Sequence, residues 1–156
     1  MRVNRRVGFI LCLGAVFIMI MAGCFYWQRY NINEFSCMAN FVKHHPDEKL
    51  DIKLSFIFGT KNGMLSMSGH TQKDPSKIFN RKISFSFQKK GSTFYLHSEK
   101  NIKFPGDNID DSWLEKFIPK FFVYPDKDIY TTILKQNNGS YLFIYSTLPS
   151  YVCYSK

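Results

Sequence analysis

The chain has no GxSxG elbow, no HExxH pair, no glycine-rich phosphate loop and no CxxC dithiol. The usual sequence routes to acyl transfer, zinc hydrolysis, nucleotide chemistry and thiol redox catalysis are therefore missing. No internal repeat or low-complexity tract is present, and the 156 residues allow one small domain plus an anchor. Acidic residues are absent from the first thirty positions. Between Arg6 and Arg29 there is no charged side chain at all, a gap of 22 residues.

That gap, read as a helix, is ~33 Å long and matches a hydrocarbon core of ~30 Å. Residues 7–27 are expected to form a transmembrane anchor and 1–6 a basic cytoplasmic tail. Arg2, Arg5 and Arg6 in front of the run favour a cytoplasmic N-terminus, and Tyr26, Trp27 and Tyr30 at its far end suit the membrane interface. A cleaved signal peptide has a shorter apolar stretch and a small-x-small site, and this run continues through Phe25. A lipoprotein signal is the sharper rival: Met21-Ala22-Gly23-Cys24 is close to a lipobox, which would make Cys24 a lipidation site. Met21 stands where leucine is usual, and bulky Phe25-Tyr26-Trp27 follows the cysteine. Either reading places the remaining residues outside the cytoplasm.

Beyond position 30 the chain carries 17 basic and 12 acidic residues. This modest excess reads as an ordinary solvated surface with some pull toward anionic head groups or an acidic partner. No basic stripe is clustered as nucleic-acid binding requires. Cys37 and Cys153 lie near opposite ends of this part. An oxidising compartment makes a disulfide between them the default, with a free or intermolecular thiol as the alternative. Closing so long a loop is worth ~4–5 kcal/mol by chain entropy.

Residues 28–49 read as a membrane-proximal segment with a short strand or helix around 35–42, ended by Pro46-Asp47. From Leu50 the hydrophobic period is two. Leu50, Ile52, Leu54, Phe56 and Phe58 alternate with Asp51, Lys53 and Ser55, the pattern of a half-buried strand. Asn62-Gly63 turns it into a return strand at 64–69. Ile83, Phe85 and Phe87 mark a third strand, and Phe94 and Leu96 a fourth. Asp110, Asp111 and Ser112 then cap a short helix over 111–117, stopped by Pro119. Two further strands flank Asn137-Asn138-Gly139. The fold class is a mainly-β extracytoplasmic domain over 50–156, with six or seven antiparallel strands and one short helix. It is a meander or a small, lipocalin-like barrel that a partner strand could complete.

His44 and His45 neighbour Asp47 and Glu48, but adjacent residues on extended chain point apart and do not chelate. His70 and His97 read as solvated, and Asp110 and Asp111 as caps instead of an acid/base pair. No metal, cofactor or enzymatic activity is expected. Phe56, Phe58, Phe85, Phe87, Phe94 and Phe143 either fill a solid core or line a cavity for a small amphiphile.

The basic N-terminus, the single apolar run, the early "FSC", "NGMLSMSG", "NRKISFSF" and the ending "NGSYLFIYSTLPSYVCYSK" together resemble the FidL-like family of small enterobacterial inner-membrane proteins. The resemblance implies a single-pass inner-membrane protein with a periplasmic C-terminal domain. It further implies a companion of a membrane-bound winged-helix regulator of the ToxR type, by looser analogy with ToxS and VtrC companions that form lipocalin-like barrels and in some cases bind bile acids. It carries no catalytic residues to transfer.

Overall fold

The computed structural model describes residues 5–30, 34–145 and 148–155, with side chains at 11, 13–26, 34–145 and 150–155. The chain forms two compact units, Met1–Asn33 and Glu34–Lys156. The first unit is helix α1, Arg5–Tyr30. Its run of Gly, Ala, Leu, Ile, Val, Met and Phe leaves no polar face to mark a solvent side. Among the described residues no helix is long and apolar enough to cross a membrane. The described side chains of α1 run unbroken over 13–26. Arg2 lies outside the described residues, as do the side chains of Arg5, Arg6, Cys12, Trp27 and Tyr30.

The second unit is a closed antiparallel barrel of eight strands in sequence order. They are β1 Phe35–His44, β2 Lys49–Phe58, β3 Asn62–Thr71, β4 Ile78–Lys90, β5 Thr93–Lys103, β6 Lys127–Lys135, β7 Tyr141–Tyr145 and β8 Leu148–Ser155. Alternation decides which face of each strand turns inward: on β2 all five apolar residues of even number from Leu50 to Phe58 are buried. β3 runs so close to its neighbours that a Cβ on Gly69 would lie 2.0 Å from the Asp51 carbonyl oxygen and 2.4 Å from the Phe79 ring. Glycine is the residue that lets β2, β3 and that ring meet there.

There are eight strands where six or seven were expected, and the turn expected at Asn62-Gly63 falls just before them, at residues 59–61, with both residues paired in β3. Three further expectations change. The barrel is closed, so no partner strand is needed to complete it. The compact unit starts at Glu34 instead of residue 50, because Phe35–His44 pairs along its whole length with β2. Its inward residues include Cys37 and Ala39, small side chains that mute the apolar alternation a reader looks for. The helix expected over 111–117 is a single turn, α2 Asp111–Leu114, followed by turns and a 3-10 turn at Lys120–Phe122. Asp110 makes no side-chain cap.

The connection between β5 and β6 (residues 104–126) plugs one end of the barrel. Ile109, Leu114, Phe117, Ile118, Phe121, Phe122 and Val123 are all buried in the common core. A charge cluster ties this connection to the wall. Arg81 on β4 is fully buried, and its Nε donates to Asp107 Oδ2 at 2.9 Å. Its NH2 donates to the Ile109 carbonyl oxygen at 3.2 Å. Its NH1 lies 2.8 Å from Asp111 Oδ1, an ion pair whose angles miss those of a hydrogen bond. Asp111, the first residue of α2, thus faces a buried guanidinium.

Candidate functional site: a split seam and its apolar cleft

Seven of the eight strand junctions are paired over at least five residues. The β1–β8 seam is different. Among the described residues it is paired only at Cys37↔Ser155 and Met38↔Tyr154. The Cys37–Cys153 disulfide crosses the same seam from the inside, with both cysteines fully buried and a sequence separation of 116.

Beyond Met38 the two strands are held by side chains. Phe41 on β1 stacks on Tyr151 of β8, with ring centroids 4.9 Å apart and planes within 6°. The Tyr151 hydroxyl in turn bonds that of Tyr145 on β7 at 2.8 Å. Burial pushes both phenols above the ordinary tyrosine range, and most strongly so for Tyr151. Both stay protonated at neutral pH, so the pair offers neutral hydroxyls and not a base.

A cleft of ≈ 440 Å³ opens at this level. β1, β2 and β3 contribute Phe41, Ile52, Leu54 and Met67; the plug contributes Phe117, Ile118, Pro119 and Phe122; Tyr145 and Tyr151 line its floor, with Lys43 and Ser150 at the rim. Its size falls within the ~300–1,000 Å³ range of small-ligand sites, and an apolar lining with few convergent polar groups is their usual chemistry.

The six phenylalanines read as either a solid core or a cavity lining lie away from this cleft. Phe56, Phe58, Phe85, Phe87, Phe94 and Phe143 are buried against one another, with centroid distances such as 4.9 Å for Phe56–Phe143 and 5.2 Å for Phe58–Phe85. None of them borders the cleft. Wide planar side chains on facing strands fill their end of the barrel solidly. The residues that do line the cleft were legible in part: Tyr145 and Tyr151 share strand parity with Phe143 and Cys153. Arg81 shares parity with Ile83 and so had to face inward.

The histidines are surface groups. His44 is exposed, His45 lies 3.6 Å from Asp47, His70 3.4 Å from Asp51, and His97 2.7 Å from Asp128. The His97 hydrogen bond, followed by that of Tyr95, holds the Asp128 carboxyl below its usual range. Cys24 is an exposed free thiol on α1, which continues past it to Tyr30.

Fold and site define a class: a small closed antiparallel barrel, plugged at one end by a long connection, with an apolar cleft where its closing seam splits. Residues 34–153 match the YqeJ C-terminal domain family, and the chain belongs to that family. The match begins where the compact barrel unit begins. The chain is 32% identical over 148 residues to the uncharacterized protein YqeJ of Escherichia coli strain K12, covering 92% of this chain and 91% of that relative. The similarity found is to YqeJ; it lends no support of its own to the FidL-like or ToxS-like resemblance. The motifs that suggested the latter are turns and strand alternations, which separate small β families poorly.

Proposed function

We propose that this protein is a non-catalytic, membrane-anchored binding module of the bacterial envelope, whose cleft receives the apolar body of a small amphiphile. The cleft supports this reading most: it is apolar, of small-ligand size, and furnished with neutral tyrosine hydroxyls and a rim lysine. The apolar run of α1 supports a retained anchor in the inner membrane with the barrel in the periplasm, where the disulfide would persist. An acylated Cys24 is the competing anchor, and mass spectrometry of the mature N-terminus separates the two.

The test is a thermal-shift series on residues 34–156, a unit with its own core and disulfide, using laurate, cholate and uncharged dodecanol. A concentration-dependent rise of several degrees with at least one of them is the expected result. No rise with any of the three counts against the ligand reading.

A second reading, a companion that stabilises or gates a ToxR-like membrane regulator, draws on the resemblance of the sequence. It is also favoured by the Tyr95–Tyr130 pair on the outer wall, with centroids 4.9 Å apart and Tyr130 66% exposed. Exposed aromatics of this kind anchor protein interfaces. Membrane-impermeant crosslinking in cells followed by pull-down should then recover a single-span regulator, and its absence would count against a regulator partner.

A further inference from the structure

The two ends of the barrel differ in charge: the hairpin-tip end carries an excess of lysine, and the other is close to balanced. The β2–β3, β4–β5 and β6–β7 hairpins all turn at the end where β1 begins. On or beside those turns stand Lys61, Lys89, Lys90 and Lys135, all exposed, and no acidic residue. The one acid near this end, Glu34, accepts a hydrogen bond from the Thr60 hydroxyl at 2.8 Å. The connections at the opposite end (45–48, 72–77, 104–126 and 146–147) hold eight acidic and four basic residues, and Lys43, Lys49, Lys103 and Lys127 stand beside them with Asp128, so charge there is close to balanced. Strand topology gathers the uncompensated lysines at the hairpin tips. Apolar side chains sit on the outer wall beside the basic tips: Ile57, 56% exposed, is paired with Met64 across β2–β3, and Tyr154 near the end of β8 is 63% exposed. Lysine rims around exposed tyrosine and aliphatic side chains are what an anionic lipid interface attracts.

We propose that the hairpin-tip end of the barrel docks on the surface of a bilayer containing anionic phospholipid, leaving the cleft end facing away. The lysine-rich tips support this independently of the anchor reading. Full-length protein is reconstituted into nanodiscs of phosphatidylcholine alone or with phosphatidylglycerol, and lysine acetylation is read by mass spectrometry. Lys61, Lys89, Lys90 and Lys135 should label about threefold more slowly in the anionic discs, while Lys73, Lys116 and Lys120 do not change, and about 0.5 M salt should abolish the difference. In Lys61→Gln/Lys89→Gln the protection of Lys90 and Lys135 should fall. Equal labelling of both ends in both kinds of disc overturns the proposal. So does protection seen in native membranes but not in anionic discs, which would assign the tips to an acidic protein. Retention in neutral discs reads the anchor separately: retained protein without tip protection removes the docking alone, and protein lost from neutral discs but protected by anionic ones removes the anchor alone. Loss from both discs removes both.

Discussion

The two ends of this barrel are built from the same kinds of residue and differ in what lies between them. At the hairpin-tip end, facing phenylalanines fill the interior and leave no room. At the other end the closing seam has lost its backbone pairing, and a connection of chain takes the place of side-chain packing. Filling an interior with rings gives stability; filling it with a plug beside an unpaired seam leaves a cleft. A ligand reading therefore has to look at the second end, whatever the aromatic content of the first.

The sharpest way to break that contrast is to weaken each end in turn. Phe56→Ala, in the solid end, should cost about 3–5 kcal/mol by chemical denaturation, whereas Ile118→Ala, already bordering the cleft, should cost at most about 2 kcal/mol. Equal losses would mean the two ends are packed alike. Arg81→Met leaves Asp107 buried without its guanidinium and should cost about 3–5 kcal/mol, with the plug the first segment to exchange its amides. Next in size is the disulfide. Cys37→Ala/Cys153→Ala should lose about 2–5 kcal/mol, and amide exchange should quicken at β1 and β8 more than at the broadly paired β3–β4 junction. Uniform acceleration would show that the bridge does not hold the seam in particular.

The smallest effect is one of pH. Tyr145 and Tyr151 have folded-state pKa values raised above the unfolded value, so the folded state binds more protons in alkali. Their contribution is fully present below about pH 10 and is lost as pH climbs beyond it. Tyr145→Phe/Tyr151→Phe should flatten that decline at a cost of about 1 kcal/mol at neutral pH, and an unchanged alkaline slope would place the phenols outside the core.

Much of the barrel was legible because strand alternation is a local signal: β2, β4 and β5 announce themselves by parity, and Asn138-Gly139 marks the β6–β7 hairpin; Asn62-Gly63 flags the β2–β3 hairpin only approximately, since both residues already belong to β3. β1 was blurred because its inward positions hold Cys37 and Ala39 instead of large apolar groups. The helix expected over 111–117 starts where it was read but tightens into i→i−3 turns after Leu114, ahead of Pro119. The site was the least legible part. It depends on where backbone pairing stops between the first and last strands, which lie more than a hundred residues apart, and on which side chains a long connection inserts. The six phenylalanines fill the solid end because rings that pack well on one another leave little space between them.

The most direct test is methyl NMR on residues 34–156 titrated with dodecanol, laurate or cholate, whichever shifts the melting temperature. The methyls of Ile52, Leu54, Met67 and Ile118 border the cleft, and those of Leu65, Ile83 and Leu96 sit fully buried away from it. Saturable shifts confined to the first group are the predicted result. Shifts centred on the second group, or spread evenly over both, would contradict a ligand site at the split seam.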